Sequence, residues 1–90
     1  MNKEIKNQPE KKFRAGAVCA TIWKNQTEKA DKEIEYRTIS LERSYQKKTG
    51  EWGSTSSFRV NDIPKATLVL QKAYEYVTLK QSYSNEELMV

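Results

Sequence analysis

The sequence predicts an α+β domain, an antiparallel β-β-β-α chain, and three observations predict it. Between Phe13 and Val60 the β-branched and aromatic residues fall into short runs with period-two alternation. Gly50 follows a basic "QKKT" stretch where two such runs meet. After Val60 the period changes, and apolar residues recur at spacings of three and four. A three-stranded meander with a C-terminal amphipathic helix satisfies all three, or four strands if Gly16 divides the first run.

Taken in order, residues 1–11 are polar and charged and contain Pro9, so a disordered N-terminal tail is expected there. The first strand is "FRAGAVCATIW", Phe13 to Trp23, with small or apolar residues on both alternating sets. The polar "KNQTEKADKE", residues 24–33, is longer than a tight hairpin needs and predicts a flexible loop that could order on binding. In the second strand, Ile34 to Tyr45, Ile39 and Leu41 point one way while Tyr36, Thr38, Ser40 and Glu42 point the other. Gly50 can take the left-handed position that closes the next turn. The third strand runs from Glu51 to Val60.

Asn61 or Asp62 is a suitable helix N-cap, and Pro64 sits in the first turn, where its missing N–H costs nothing. Ile63, Ala66, Leu70, Ala73 and Val77 define one helix face, widened by Val69, Tyr74 and Tyr76. That width exceeds what one sheet face requires, and it predicts a homodimer. The pattern stops after Lys80, so the domain is expected over 12–80, with 81–90 a flexible tail.

Composition narrows the function. Ninety residues make one small domain, marginal in stability. The chain contains no histidine and a single cysteine, Cys19. Neither a nucleophile–base pair nor a zinc set can be assembled from these, so the chain is not expected to be an enzyme or to hold a metal or cofactor. The glycines Gly16, Gly50 and Gly53 form neither a phosphate loop nor a dinucleotide fingerprint. An unpaired Cys19 suits a reducing compartment. With no secretory-type leader and no apolar run of about 18 residues, a cytoplasmic location is expected and no membrane partner. Between Lys11 and Lys65 there are 12 Lys/Arg and 7 Asp/Glu, a local excess of +5 within a whole-chain charge of +4.

A basic sheet with interleaved aromatics is the surface that single-stranded nucleic acid requires, because bases stack on flat side chains and cations follow the phosphates. The expected contacts are stacking by Trp23, Tyr45 and Trp52, and phosphate pairing by Arg14, Lys24, Arg37, Arg43, Lys47, Lys48 and Arg59. Strand serines and threonines, among them Ser40, Ser44 and Ser54, could donate to phosphate oxygens. The same residues permit structural roles. Tyr45 and Trp52 could be a cross-strand pair clamping the turn, and Arg37 and Arg43, on the Ile39 side, could pair with acidic neighbours. A protein-interaction or regulatory module without nucleic acid is the alternative reading, since aromatics and arginines also dominate protein hot spots.

The strings "RAGAVCATIWKN", "YRTISLERSYQKKTGEW" and "FRVNDIPKATLVLQKAYEYV" resemble a family of small uncharacterised prokaryotic proteins prominent in archaea. That resemblance covers about residues 13–79 and implies relatives without implying an activity. In architecture the chain is similar to the PC4-like and Whirly-like single-stranded DNA-binding proteins. The likeness implies a dimer that binds DNA or RNA on basic and aromatic β-surfaces.

Overall fold

The computed structural model describes residues 6–89, with side chains described for 7–80. Four strands, β1 (Lys6–Ala15), β2 (Val18–Lys29), β3 (Lys32–Gln46) and β4 (Trp52–Thr55), form one antiparallel sheet in the order β1-β2-β3-β4. A 3-10 turn (Val60–Asp62) leads into α1 (Ile63–Met89), the one α-helix among the described residues. The α+β architecture is the one expected, in its four-stranded form.

Gly16 does divide the first apolar run. With φ +61° it occupies the tight turn between β1 and β2, a conformation that costs a residue with a Cβ about 1–2 kcal/mol. The strand so created reaches back to Lys6, where the sequence suggests a disordered tail through residue 11. Residues 6–11 lack an apolar pattern because β1 is an edge strand, paired with β2 alone and interrupted by a register shift between Pro9 and Lys11. The expectation for residues 1–5 lies outside the described residues.

The predicted 24–33 loop is also strand. β2 and β3 pair without interruption from Val18↔Arg43 to Lys29↔Lys32, closing on a two-residue turn at Ala30 and Asp31. Both turn residues have positive φ, 53° and 63°, as this hairpin geometry demands. The sequence concealed the turn because neither residue is glycine, and it concealed the strand because this end of the ribbon is exposed on both sides.

Farther on, β4 is shorter than the predicted Glu51–Val60 strand and stops at Thr55. The chain then turns on Ser57 N–H donating to Thr55 Oγ1 (3.1 Å) and on Arg59 N–H donating to Asp62 Oδ2 (2.9 Å). Helix α1 continues past the predicted stop near Lys80 to Met89.

The core forms where α1 crosses one face of the sheet. Val18, Ala20 and Ile22 of β2 meet Ala66, Val69 and Ala73 of α1, with Phe13, Ala15, Leu41, Phe58, Tyr76 and Val77 at its margins. Two alanines facing the sheet let the helix approach closely. The buried stripe is therefore rotated from the predicted one: Val69 is inside, while Ile63 and Leu70 are left exposed. No described helix is long and apolar enough to cross a membrane.

Ile22 is the largest side chain that is fully buried. Ile22→Ala should cost about 2–5 kcal/mol, a large part of the stability of a chain this size, and urea unfolding would measure it. Replacing Ala30 and Asp31 by Asn-Gly should relieve the left-handed strain and strengthen amide-exchange protection at the β2–β3 ribbon tip about fivefold.

Candidate nucleic-acid interface

Alternation along the paired strands assigns every sheet residue to a face. The face under α1 carries Phe13 and Ala15 of β1, Val18, Ala20, Ile22 and Lys24 of β2, and Glu35, Arg37, Ile39, Leu41 and Arg43 of β3. The other, open face carries Lys12 and Arg14, then Cys19, Thr21, Trp23, Asn25, Thr27 and Lys29. From β3 it takes Lys32, Ile34, Tyr36, Thr38, Ser40, Glu42, Ser44 and Gln46, and from β4 Trp52 and Ser54.

This division sorts the charges. Glu10, Glu28, Glu33 and Glu35 all fall to the covered side. The open side of the described strands carries Lys12, Arg14, Lys29 and Lys32 against Glu42 alone. Lys12, Arg14, Lys29 and Lys32 are all solvent-exposed. A cationic surface that holds its acids on its reverse side is what a polyanion would meet.

Aromatic and hydroxyl groups fill the space between the cations. Trp23 is half-buried and donates its indole N–H to Ser40 Oγ (2.8 Å), which fixes the ring on the sheet. Buried Asn25 donates through Nδ2 to Thr38 Oγ1 (3.0 Å) and to the carbonyls of Trp23 and Tyr36 (3.3 and 3.4 Å). Tyr36 keeps 41% of its surface exposed and Trp52 keeps 69%. Cys19 and Thr21, at the centre of this face, are buried and in contact at 3.8 Å, which leaves Cys19 a packed residue. The Trp52 row (opposite Gln46) and the Trp23 row (opposite Thr38) lie eight β3 residues apart. At ~3.3 Å per residue that is a track of about 26 Å.

The ten residues predicted to touch nucleic acid therefore separate. Arg14 and Trp23 lie together on the open face, with Trp52 at its far end. Arg43, Tyr45, Trp52 and Arg59 line a second feature, an open cleft of about 390 Å³ completed by Ala17, Ser44, Gln46 and Asp62. There Arg43 is held by Asp62 Oδ2 (3.3 Å) and by Ser57 O (3.1 Å), whereas Arg59 makes no ion pair among the described residues. Tyr45 and Trp52 are not directly opposite. Tyr45 faces Gly53, and a Cβ there would lie 3.0 Å from the Tyr45 ring, so glycine is what allows the ring to lie across β4. Lys47 and Lys48 are exposed in the β3–β4 turn, which Lys47 N–H closes onto Glu51 O (2.7 Å) and Gly50 N–H onto Lys47 O (2.9 Å). Gly50 is left-handed there (φ +94°).

Lys24 and Arg37 belong instead to an ionic network on the covered side. Arg37 donates to Glu10 Oε1 (3.0 Å) and Glu35 Oε2 (3.1 Å), Lys24 pairs with Glu35 Oε1 (3.3 Å), and Tyr76 Oη and Lys80 Nζ both reach Glu10 Oε2 (2.9 and 3.1 Å). The network ties β1 to β3 and to α1. Burial pushes the Glu10 carboxyl up, but hydrogen bonds from Tyr76, Arg37 and Lys80, with the Arg37 charge, outweigh it and hold the pKa at about 2. Glu35 is likewise lowered, first by the hydrogen bond from Gln26 and then by Lys24. Arg37, bonded chiefly to Glu10, is raised.

Tyr36, Lys12, Lys29 and Lys32 are not among the predicted contacts. The signal for them is their parity with Trp23, which becomes readable only once the turns at Gly16 and at Ala30–Asp31 fix the register. Among the described residues, no group of three or more His, Cys, Asp or Glu is placed to hold a metal ion. No family model, curated protein or solved structure matches the chain.

Because Glu10 is more acidic folded than unfolded, its contribution to stability is complete above about pH 4.5 and is lost as pH falls through about 2. Glu10→Gln should lower stability at pH 7 by on the order of 1–3 kcal/mol and flatten the acid limb between pH 5 and 2, as read by urea unfolding across that range.

Proposed function

We propose that this protein binds single-stranded nucleic acid along the open face of its sheet and catalyses no reaction. The observation that carries the reading is the sorting of charge by face, which leaves Lys12, Arg14, Lys29 and Lys32 on a surface that also presents Trp23, Tyr36 and Trp52. Each stacked base contributes roughly 1–3 kcal/mol and needs no particular sequence, while exposed Lys and Arg neutralise phosphates. A single strand suits this face better than a duplex. The aromatics stand between the cations, where unstacked bases could lie, and the one α-helix among the described residues lies on the reverse side, away from any groove the open face would meet.

In this reading Trp23 and Tyr36 stack bases, and Trp52 stacks another at the far end of the track. Lys12, Arg14, Lys29 and Lys32 pair with phosphates, and Thr38 offers a hydroxyl to the strand. Arg59 and Tyr45 would receive the strand where it leaves the sheet at the cleft. Lys47 and Lys48 add a positive turn beside it. Lys24, Arg37 and Arg43 serve the fold through their ion pairs.

Fluorescence anisotropy of a labelled 20-nucleotide single strand, with the matching duplex in parallel, tests the proposal. Binding should favour the single strand and weaken as salt rises. Trp23→Ala and Tyr36→Ala should each weaken it by roughly 1–3 kcal/mol. Arg14→Ala should reduce the slope of log K against log salt by about 0.7. Lys72→Ala, on the outer surface of α1 where Lys72 pairs with Glu75, should change nothing. Absence of binding to either nucleic acid at low salt would refute the proposal.

A further inference from the structure

β3 is the longest strand of the sheet, and its far edge is only partly used. β4 pairs with Arg43 to Gln46, leaving residues 32–42 with no strand on that side among the described residues. Backbone direction alternates along an antiparallel strand. Ser44 N–H turns toward β2 and donates to Ala17 O (2.8 Å), while Lys47 N–H turns the other way, to Glu51 O. By that alternation Glu33, Glu35, Arg37 and Ile39 direct their N–H and C=O groups outward from the open edge.

The two long edges of the sheet differ. β1 carries the devices that discourage further pairing: Pro9, a register shift beside it, and Lys11 and Lys12. The β3 edge has no proline and no bulge, and its Ile34, Tyr36 and Ile39 are exposed at 41%, 41% and 39%.

We infer that this edge pairs with the same edge of a second copy of the chain, antiparallel about a two-fold axis at Tyr36. Three features select the partner and the register. In this register Glu35 lies opposite Arg37 of the partner subunit, and Arg37 opposite Glu35 of the partner subunit, so the charges are self-complementary. A register centred on Arg37 would place like charges in contact. The outward-pointing residues 33, 35, 37 and 39 also become the hydrogen-bonded pairs, 35 with 37 and 33 with 39, and Tyr36 meets its own counterpart in the closer, non-hydrogen-bonded position. Finally, the lengths match. The hairpin tip of one copy, at Asp31, comes opposite Leu41 of the other, just short of the point where β4 begins to cover β3 at Arg43. An eight-stranded sheet results, with both open faces on one side and the two helices on the other. The dimer runs through the sheet edge, and the helix stripe that suggested a dimer in the sequence plays no part in it.

The protein alone tests this, without nucleic acid, so the result is independent of the ligand. Sedimentation equilibrium at 10–200 µM should give about 21 kDa, twice the chain mass of 10.5 kDa. Ile39→Pro removes an outward-facing N–H and leaves the β2 ladder intact, and it should weaken association at least tenfold while circular dichroism is unchanged. Tyr36→Cys gives a second, separate readout. A Cα separation of about 4.5 Å across the axis permits a disulfide, so oxidised glutathione should convert this variant to a covalent dimer, whereas Thr38→Cys should stay uncrosslinked. A chain that sediments at 10.5 kDa throughout that range, or a dimer that survives Ile39→Pro and fails to crosslink through residue 36, would overturn the inference.

Discussion

A helix about 10 Å across cannot cover four strands spaced about 4.8 Å apart. Most of what distinguishes this molecule follows from that mismatch. α1 packs chiefly against β1 and β2, supplying Ala66, Val69 and Ala73 to a core whose largest fully buried side chain is Ile22. β3 and β4 receive little of the helix, so Ile39 of the sheet and Leu70 and Tyr74 of the helix remain exposed. Among the described residues, the reverse face of all four strands has no layer over it. A core this small leaves little margin, and the Glu10 network, which joins β1, β3 and α1 through Arg37, Tyr76 and Lys80, clamps elements that apolar contact alone holds weakly.

The uncovered face is not simply left over. In a sheet with one solvated face, that face is usually polar and mixed in charge. Here the acids of β1, β2 and β3 fall almost wholly on the helix side, where Glu10 and Glu35 neutralise Arg37 and Lys24. The open face keeps Lys12, Arg14, Lys29 and Lys32, which make no ion pair among the described residues, and Trp23 stands among them with its indole N–H tied to Ser40. Fixing an aromatic ring in place before a ligand arrives removes part of the ordering cost of stacking. Arg37 and Arg43 of β3 and Arg14 of β1 are thus separated by the face their strand position assigns them, the first two on the helix side and Arg14 on the open side.

Much of the fold was legible because its signals are local. Ile39 and Leu41 against Tyr36, Thr38 and Ser40 gave the faces of β3, and Pro64 with the three-four spacing gave α1. The misses have physical causes. Residues 6–11 are polar because they lie at an edge and 28–33 because the ribbon tip is exposed on both sides, while at Asn25 the buried side chain is itself polar and held by Thr38, so no apolar pattern marks these stretches. The turn at Ala30 and Asp31 uses left-handed residues without glycine, which removes the usual marker. Ile63 and Leu70 satisfy the helix period as well as Val69 does. Only the position of the sheet decides which of them is buried. The candidate site was legible as a composition but not as a place: Arg14, Trp23 and Trp52 share a face, while the role of Lys24 required the register that brings it to Glu35, and that of Arg37 required knowledge of Glu10, a residue assigned to a tail.

The most direct test of this account is a map of amide and indole chemical-shift changes when a short unlabelled single strand is titrated into the ¹⁵N-labelled protein. The changes should gather on Lys12, Arg14, Thr21, Trp23, Tyr36, Thr38 and Ser40, with the Trp23 indole N–H among the largest, and the outer surface of α1 around Lys72 should stay still. Changes confined to the helix, or scattered without regard to the two faces of the sheet, would contradict the assignment of the open face as the ligand surface.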